Sequence, residues 1–495
     1  MVDTLVGSLN ALATRWSVWM VRTSRWVALC RQPLKLPRIT ATLLLTLAWG
    51  QLGFGFNVCA EQEQRAAAVS QSGALKGSHS TTDVLEIAHY EEALEAFINE
   101  VDSTYPFFDL KGVRGDWEDC KNSLLEKVKQ CGSNDEFYGL LYEAGRRLRD
   151  PHIGLRDLKG KIPQPDPIFY PGLSFLPAVE QQVVVMWANG EYADILQPGT
   201  VVTQIDRRNA REFLEQDAEM QWNAGGPFSS RQRARLYAYR IPLQGGRNDT
   251  HRLTVLKERK SQTVDVENKW EAKGWPHTYA MPGELVRRGD CLYGKLENGF
   301  GYIYLRRIRP DVAECLDAAL RSFEGVKAVI IDLRGNGGGG YNAEVFKRFD
   351  KKQGPSPGIP FCEGDIAVLI DAGTFSAGET FARDLVYAAG AHLMGSRTAG
   401  SSTAKRTWKL PRGLGTVIFP RRSRWGFDNQ PIEYNGIAPH EIVEVVPSEL
   451  QKGVNSGIKR AGEYLERKWQ ERRVKSTEPL VIIREVGAGE QVEVQ

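Results

Sequence analysis

Two short runs constrain this chain more than anything else in it. Ala328-Val-Ile-Ile-Asp-Leu333 and Asp365-Ile-Ala-Val-Leu-Ile370 carry apolar side chains at consecutive positions. Such a run predicts a strand covered on both faces, as in a parallel sheet between helices. The first run enters Arg334-Gly-Asn-Gly-Gly-Gly-Gly340, and the second enters Asp371-Ala-Gly-Thr-Phe-Ser-Ala-Gly-Glu379, with a helix predicted over Ser376 to Ala389. Gly301-Tyr-Ile-Tyr-Leu305 adds a strand. Val312 to Phe323 predicts an amphipathic helix, with Val312, Cys315, Leu316, Ala319, Leu320 and Phe323 on one face. Strand, glycine turn and helix alternate from about residue 289, so the expected class is a layered α/β core.

The rest of the chain follows a different grammar. At 495 residues it has room for about three domains. Residues 83–160 predict helices, from Leu85, Ala88, Ala93, Leu94 and Phe97 and then Leu124, Leu125 and Val128, with a break at Tyr105-Pro-Phe-Phe108. Residues 168–268 predict a small β-rich module from Gln182-Val-Val-Val-Met-Trp187, Val201-Val-Thr-Gln-Ile205 and His251-Arg-Leu-Thr-Val-Leu256. The α/β core is expected over 285–470 and a tail over 471–495. Residues 61–82 read as a linker. Residues 1–60 carry six basic groups and one acid ahead of the apolar Ala41-Thr-Leu-Leu-Leu-Thr-Leu-Ala-Trp49, and Val58-Cys59-Ala60 has small residues suited to cleavage. That is the pattern of a signal peptide or signal-anchor, with an organelle transit peptide as the alternative. An exported or membrane-anchored protein is therefore expected, with a possible membrane tether through this segment. The remaining 58 basic and 60 acidic groups nearly cancel, so the body lacks the basic excess of a nucleic-acid binder. Five cysteines remain beyond residue 60, without C-x-x-C spacing; Cys120 and Cys131 are the only close pair, and buried free thiols are expected for most.

Ser376 sits after a buried strand at a helix start, where backbone N–H groups and the positive helix end favour a nucleophile. Its segment nearly matches G-x-S-x-G, with Thr374 in place of the first glycine. The plain alternative is a helix N-cap. Gly335, Gly337 and Gly340 formally satisfy G-x-G-x-x-G, but no acid ends a second strand about 20 residues on, as a dinucleotide site requires. The glycines could instead aim amides at an oxyanion, or make a tight turn. His152, in Arg149-Asp-Pro-His-Ile-Gly-Leu155, stands out among seven histidines as a possible base, and Glu433, in Ile432-Glu-Tyr-Asn-Gly-Ile-Ala-Pro439, as its orienter.

Taken in order, Asp-Pro-His152, the β module, Val-Ile-Ile-Asp-Leu-Arg-Gly-Asn-Gly-Gly, Thr-Phe-Ser376-Ala-Gly-Glu, Gly395-Ser-Arg-Thr-Ala-Gly400 and Glu433-x-x-Gly-Ile-x-Pro439 resemble the C-terminal processing (tail-specific) serine proteases, closest to their tricorn-core-like branch. The resemblance spans about residues 83–470. It implies a ClpP/crotonase-like layered core with an inserted PDZ-like module, which Leu196-Gln-Pro-Gly-Thr-Val-Val-Thr-Gln-Ile-Asp206 also resembles. It implies Ser376 as nucleophile, and an oxyanion hole from the Ala377 amide with Gly337 or Gly338. The processing branch carries a Lys base in a slot occupied here by Ser401, with Lys405 four residues on. The tricorn-like branch uses a His and a Glu, matched by His152 and Glu433. Pro151 stands where tricorn has Ser, and His440 where the family has Asp.

The expected function is a serine endopeptidase acting on polypeptides through a Ser376–His152–Glu433 triad, with no metal or cofactor. A Ser376–Lys405 dyad, a catalytically silent ligand- or peptide-binding relative on the same fold, and a nucleotide-dependent oxidoreductase are the other readings.

Overall fold

The computed structural model describes residues 87–477, apart from 165, 227, 258–259, 273–278 and 341–342. The expected leader and linker, and the tail beyond residue 477, lie outside the described residues.

Four helices come first: α1 (Ile87–Thr104), the single turn α2 (Phe108–Lys111), α3 (Arg114–Val128) and α4 (Asn134–Arg147). Helix α4 is set by local chemistry. Ser133 caps it by accepting the Glu136 N–H, Asp135 and Glu136 lie in its first turn, and Arg146 and Arg147 in its last. Phe97, Trp117, Leu124, Phe137 and Leu141 pack between these helices. This core continues into Leu410, Leu414, Val417 and Phe419 from far along the chain, so the helical region is no separate body.

Strand β1 (Gly154–Arg156) follows α4. The module comes next, with β2 (Leu173–Pro177), β3 (Val183–Ala188), β4 (Val201–Ile205), helices α5 (Ala210–Asn223) and α6 (Arg231–Arg240), then β5 (Thr250–Lys257) and β6 (Lys260–Glu267). These strands pair antiparallel in the order β2-β3-β4-β5-β6. The two helices correct the expectation of short strands throughout this region. Asn209 caps α5 by accepting from Arg211 N and Glu212 N, and Ser230 caps α6 by accepting from Arg233 N. The Arg-rich sequence of α6 shows little apolar periodicity because much of its surface docks on polar backbone.

The central sheet holds β7 (Val286–Arg288), β8 (Cys291–Lys295), β9 (Gly301–Leu305), β10 (Ala328–Asp332), β11 (Asp365–Ile370), β12 (His392–Gly395) and a late short strand, Glu441–Ile442, in that spatial order. From β9 onward neighbours are parallel. All five residues of β10 are buried, as the consecutive apolar run requires. Helices α7 (Val312–Ser322) and α8 (Ala377–Ala389) cover one face. Helix α9 (Ser456–Thr477) covers the other through Ala461 and Leu465. The mixed α/β class is therefore as expected.

Cys291 on β8 and Cys315 on α7 form a disulfide. Sequence spacing did not single out this pair. Cys120, Cys131 and Cys362 are buried free thiols. Residues 24 apart in sequence met because α7 packs directly on β8.

Strands β13 (Thr403–Lys409) and β14 (Thr416–Ser423) form a small antiparallel sheet with β1 in the order β1-β14-β13. Pairing of Gly154 with Ile418 holds the segment after His152 against the core's later strands.

Candidate active site

The site forms where β10 and β11 end. Asp371 ties their two turns together. Its Oδ1 accepts from Gly335 N (2.8 Å), Gly373 N (2.8 Å) and Thr374 N (3.1 Å), and its Oδ2 accepts from Tyr279 Oη at 2.8 Å. The glycine turn and the Ser376 turn are thus one unit. Gly338 needs its φ of +78°, and a side chain there would meet Phe375 O and Ser376 Cβ at 2.9 Å.

Ser376 precedes the first residue of α8, directly after the Asp365–Ile370 strand and its turn. Its φ of +52° and ψ of −112° lie in a region a non-glycine residue occupies only when its surroundings compel it. The compelling group is Glu379. This fully buried carboxylate accepts from Ser376 N (3.1 Å), Thr398 Oγ1 (2.7 Å), Gly400 N (2.8 Å) and Ser401 N (2.9 Å). Burial pushes its pKa up to about 7, against the pull of these donors. Sequence reasoning did not assign Glu379 a role, although Ser376-x-x-Glu379 has capping-box spacing that could have flagged it.

His152 is brought in by the turn after α4. Asp150 Oδ1 accepts the His152 N–H at 2.9 Å, and the ring stacks on Phe375 at 5.2 Å between centroids. Its Nε2 lies 3.1 Å from Ser376 Oγ. Its Nδ1 faces Ser401 Oγ at 3.5 Å, and Ser401 Oγ lies 2.9 Å from Ser229 Oγ. Burial, then Lys405 and Lys111, hold the His152 pKa well below its usual value, so the ring is neutral near pH 7.

Glu433 is fully buried, but it does not reach His152 in any contact among the described residues. Lys111 Nζ lies 2.8 Å from its Oε1 and 3.0 Å from Asp150 Oδ2. The Lys111 contact is ionic, since neither Glu433 oxygen accepts a hydrogen bond of good geometry. Burial raises the Glu433 pKa to about 7, opposed by Lys111 and by the Ser229 hydroxyl. From Ser376 the contacts therefore run through His152 and Ser401 to Ser229. Lys111, Asp150 and Ser229 escaped sequence reasoning because their partners lie far along the chain.

Gly338 packs against Ser376 and the Ala377 amide. The amides themselves differ from expectation. Gly337 N donates to Arg306 O at 3.0 Å and Gly338 N to Asn336 Oδ1 at 2.9 Å. Both donors are engaged because the turn folds back on its own strand and on β9. The Ala377 amide, at the first turn of α8, donates to no acceptor among the described residues.

Lys405 lies on β13, exposed, opposite Pro420. His440 accepts the Leu393 N–H on Nδ1 at 2.9 Å, a structural role away from Ser376. The module's helix α6 buttresses the site: Arg233 Nη1 donates to Ala372 O at 2.8 Å and Ser230 Oγ to Ala399 O at 2.6 Å.

Residues 299–443 match the model of peptidase family S41. No curated protein sequence matches the chain. Among solved structures, mature CPAF aligns at a TM-score of 0.52 and 14% identity, covering 79% of this chain and 98% of that one. CPAF complexed with lactacystin aligns at a TM-score of 0.50 and 12% identity over 78% and 98% of the two chains. The photosystem II D1 C-terminal processing protease aligns at 0.39 and 16% identity over 76% and 97%. At these identities the likeness to CPAF is one of fold. The family match covers the glycine turn, Ser376 and Glu433, and leaves His152 outside it. The strand-to-helix turn that presents Ser376 thus lies within a peptidase family S41 domain, and the chain that carries this domain is a serine-type peptidase.

Proposed function

We propose that the chain is an endopeptidase in which His152 activates Ser376, and that Glu433 acts on His152 through Ser401 and Ser229. The observation that carries this reading is the 3.1 Å separation of His152 Nε2 from Ser376 Oγ at the start of a helix. A neutral imidazole at that distance takes the Ser376 proton as Oγ attacks the scissile carbonyl. It then returns the proton to the leaving amine. Two serine hydroxyls between Nδ1 and the carboxylate pass on its orienting effect, and a loose 3.5 Å contact can tighten when substrate binds.

The Ala377 amide supports one half of the oxyanion hole. The other half falls to the Gly338 amide, whose Asn336 acceptor a developing oxyanion would displace, charge favouring the exchange. Lys405 is a poor candidate base, being exposed and cationic.

The antiparallel module with helices α5 and α6 is read as PDZ-like, binding an extended stretch of polypeptide near the site. The Cys291–Cys315 disulfide supports an oxidising compartment, in keeping with export directed by residues 1–60. Labelling with a fluorophosphonate probe tests the chemistry. Wild type should be labelled at Ser376, and both Ser376→Ala and His152→Ala should lose the label. A His152→Ala chain labelled at the wild-type rate would overturn the proposed base.

A further inference from the structure

A cavity of about 290 Å³ opens beside the nucleophile helix, lined by Arg383, Ala404, Arg422, Ser423, Arg424 and Trp425. Its size falls at the lower edge of the roughly 300–1,000 Å³ of small-ligand pockets, which suits one side chain better than a whole ligand.

The cavity is built into the catalytic elements. Arg383 is on α8, seven residues after Ser376, so about 10 Å along the helix at ~1.5 Å per residue. Ala404 lies three residues past Ser401 and pairs with Arg422 across the β13–β14 ladder. Its small methyl group leaves the space open. Ser402 ties the lining elements together: its hydroxyl lies 3.0 Å from Thr380 Oγ1 on α8, and its carbonyl accepts the Arg424 N–H at 3.1 Å.

The charge in the cavity is one-sided. Arg383 is paired with Asp384, its sequence neighbour, at 2.5 Å. Arg422 and Arg424 face no carboxylate within ion-pair distance among the described residues. The Trp425 ring, 60% exposed, completes the rim.

Resting on the peptidase reading, we infer that this cavity is a substrate subsite for an acidic side chain, with Arg422 and Arg424 as its specificity-determining groups. A peptide that runs from Ser376 along α8 to the cavity at about 3.3 Å per residue would place the acidic side chain about three residues from the scissile bond. Two planar guanidiniums with free donor edges suit a carboxylate, and an aromatic rim suits its methylene stem.

The test separates this inference from the peptidase reading by using the Ser376→Ala chain, which binds without cutting. Fluorescently labelled short peptides that differ only in carrying Glu, Gln or Lys at one position are titrated against it by anisotropy. Glu should bind about fivefold tighter than Gln at one position, and added salt should erase the gain. An Arg422→Gln/Arg424→Gln double variant should remove the Glu preference while binding the Gln peptide normally. In the active enzyme the same double variant should raise KM for the Glu peptide without lowering kcat for the Gln peptide. Equal binding of Glu and Gln at every position, or a preference that survives the double variant, overturns the subsite. If wild type takes no fluorophosphonate label while the Glu preference holds, the catalytic reading falls and the acidic-peptide site stands.

Discussion

At the scale of single residues, the site turns on which group takes the Ser376 proton. His152→Ala should lower kcat/KM on a peptide substrate by a factor on the order of 10³ or more, because a nucleophile and its base fail together. Lys405→Ala should leave kcat close to wild type. Lys405 is one of two cations that depress the His152 pKa, so its removal should move the acid limb of the kcat/KM profile upward in pH. In wild type that limb should lie below 6.5, the unperturbed histidine value, since burial and both cations disfavour the imidazolium. A limb above 6.5 in wild type would show that another group limits the rate. Ser401→Ala should act on kcat rather than KM, because its hydroxyl lies 3.5 Å from His152 Nδ1 and would act through the orientation of the ring.

At the scale of elements, the turns rather than the strands carry the demands. Gly338→Ala would place a methyl group 2.9 Å from Phe375 O and Ser376 Cβ at a φ of +78°. A cost of about 1–3 kcal/mol in denaturant unfolding is expected, with loss of the fluorophosphonate label. The single-turn helix α2 has a different burden, since it inserts Lys111 between two buried carboxylates, Asp150 and Glu433. Burial alone would lower the Lys111 pKa, but the two carboxylates raise it, so the ammonium stays charged. Lys111→Met removes that charge and leaves both carboxylates buried together. A loss of about 3–5 kcal/mol is expected by urea titration, as for other broken buried pairs.

At the scale of the whole molecule, stability should depend on pH in part through three groups at this one site. Glu379 and Glu433 titrate near 7 when folded and near 4.5 otherwise. Between those values the unfolded chain loses their protons first, so their contribution falls as pH rises from about 4.5 to about 7. His152 has the opposite sign. Its folded pKa is depressed, so the unfolded chain gains that proton first and stability falls as pH drops below 6.5. Glu379→Gln should flatten the first trend in urea titrations across this window. It should also destabilise the chain by about 1–3 kcal/mol, because an amide NH₂ would face the N–H of Ser376 or Ser401.

The consecutive apolar runs at 328–333 and 365–370 determined the buried parallel strands by themselves, and with them the position of Ser376 at a helix start. Burial on both faces leaves such a sequence no other stable arrangement. The order of short motifs, from Asp-Pro-His152 to Gly-Ile-Ala-Pro439, carried the resemblance by which His152, among seven histidines, and Glu433 became the candidates. Helix α5 buries Ala210, Leu214, Ala218 and Trp222 at a helical spacing that was present in the sequence but not recognised, whereas Arg-rich α6 was not legible because Ser230, Gln232 and Arg233 dock on backbone carbonyls far along the chain. The Cys291–Cys315 bond was not legible either, because it depends on α7 lying across β8. Only the tertiary structure decided that Ser401 lies beside His152 and contacts Ser229, that Lys111 pairs with Glu433, and that the Gly338 amide is held by Asn336. Each of those contacts joins a side chain to a partner fixed by another element's path. Hydrogen bonds and ion pairs are set by positions a few tenths of an ångström wide, which a linear pattern of residue types does not encode.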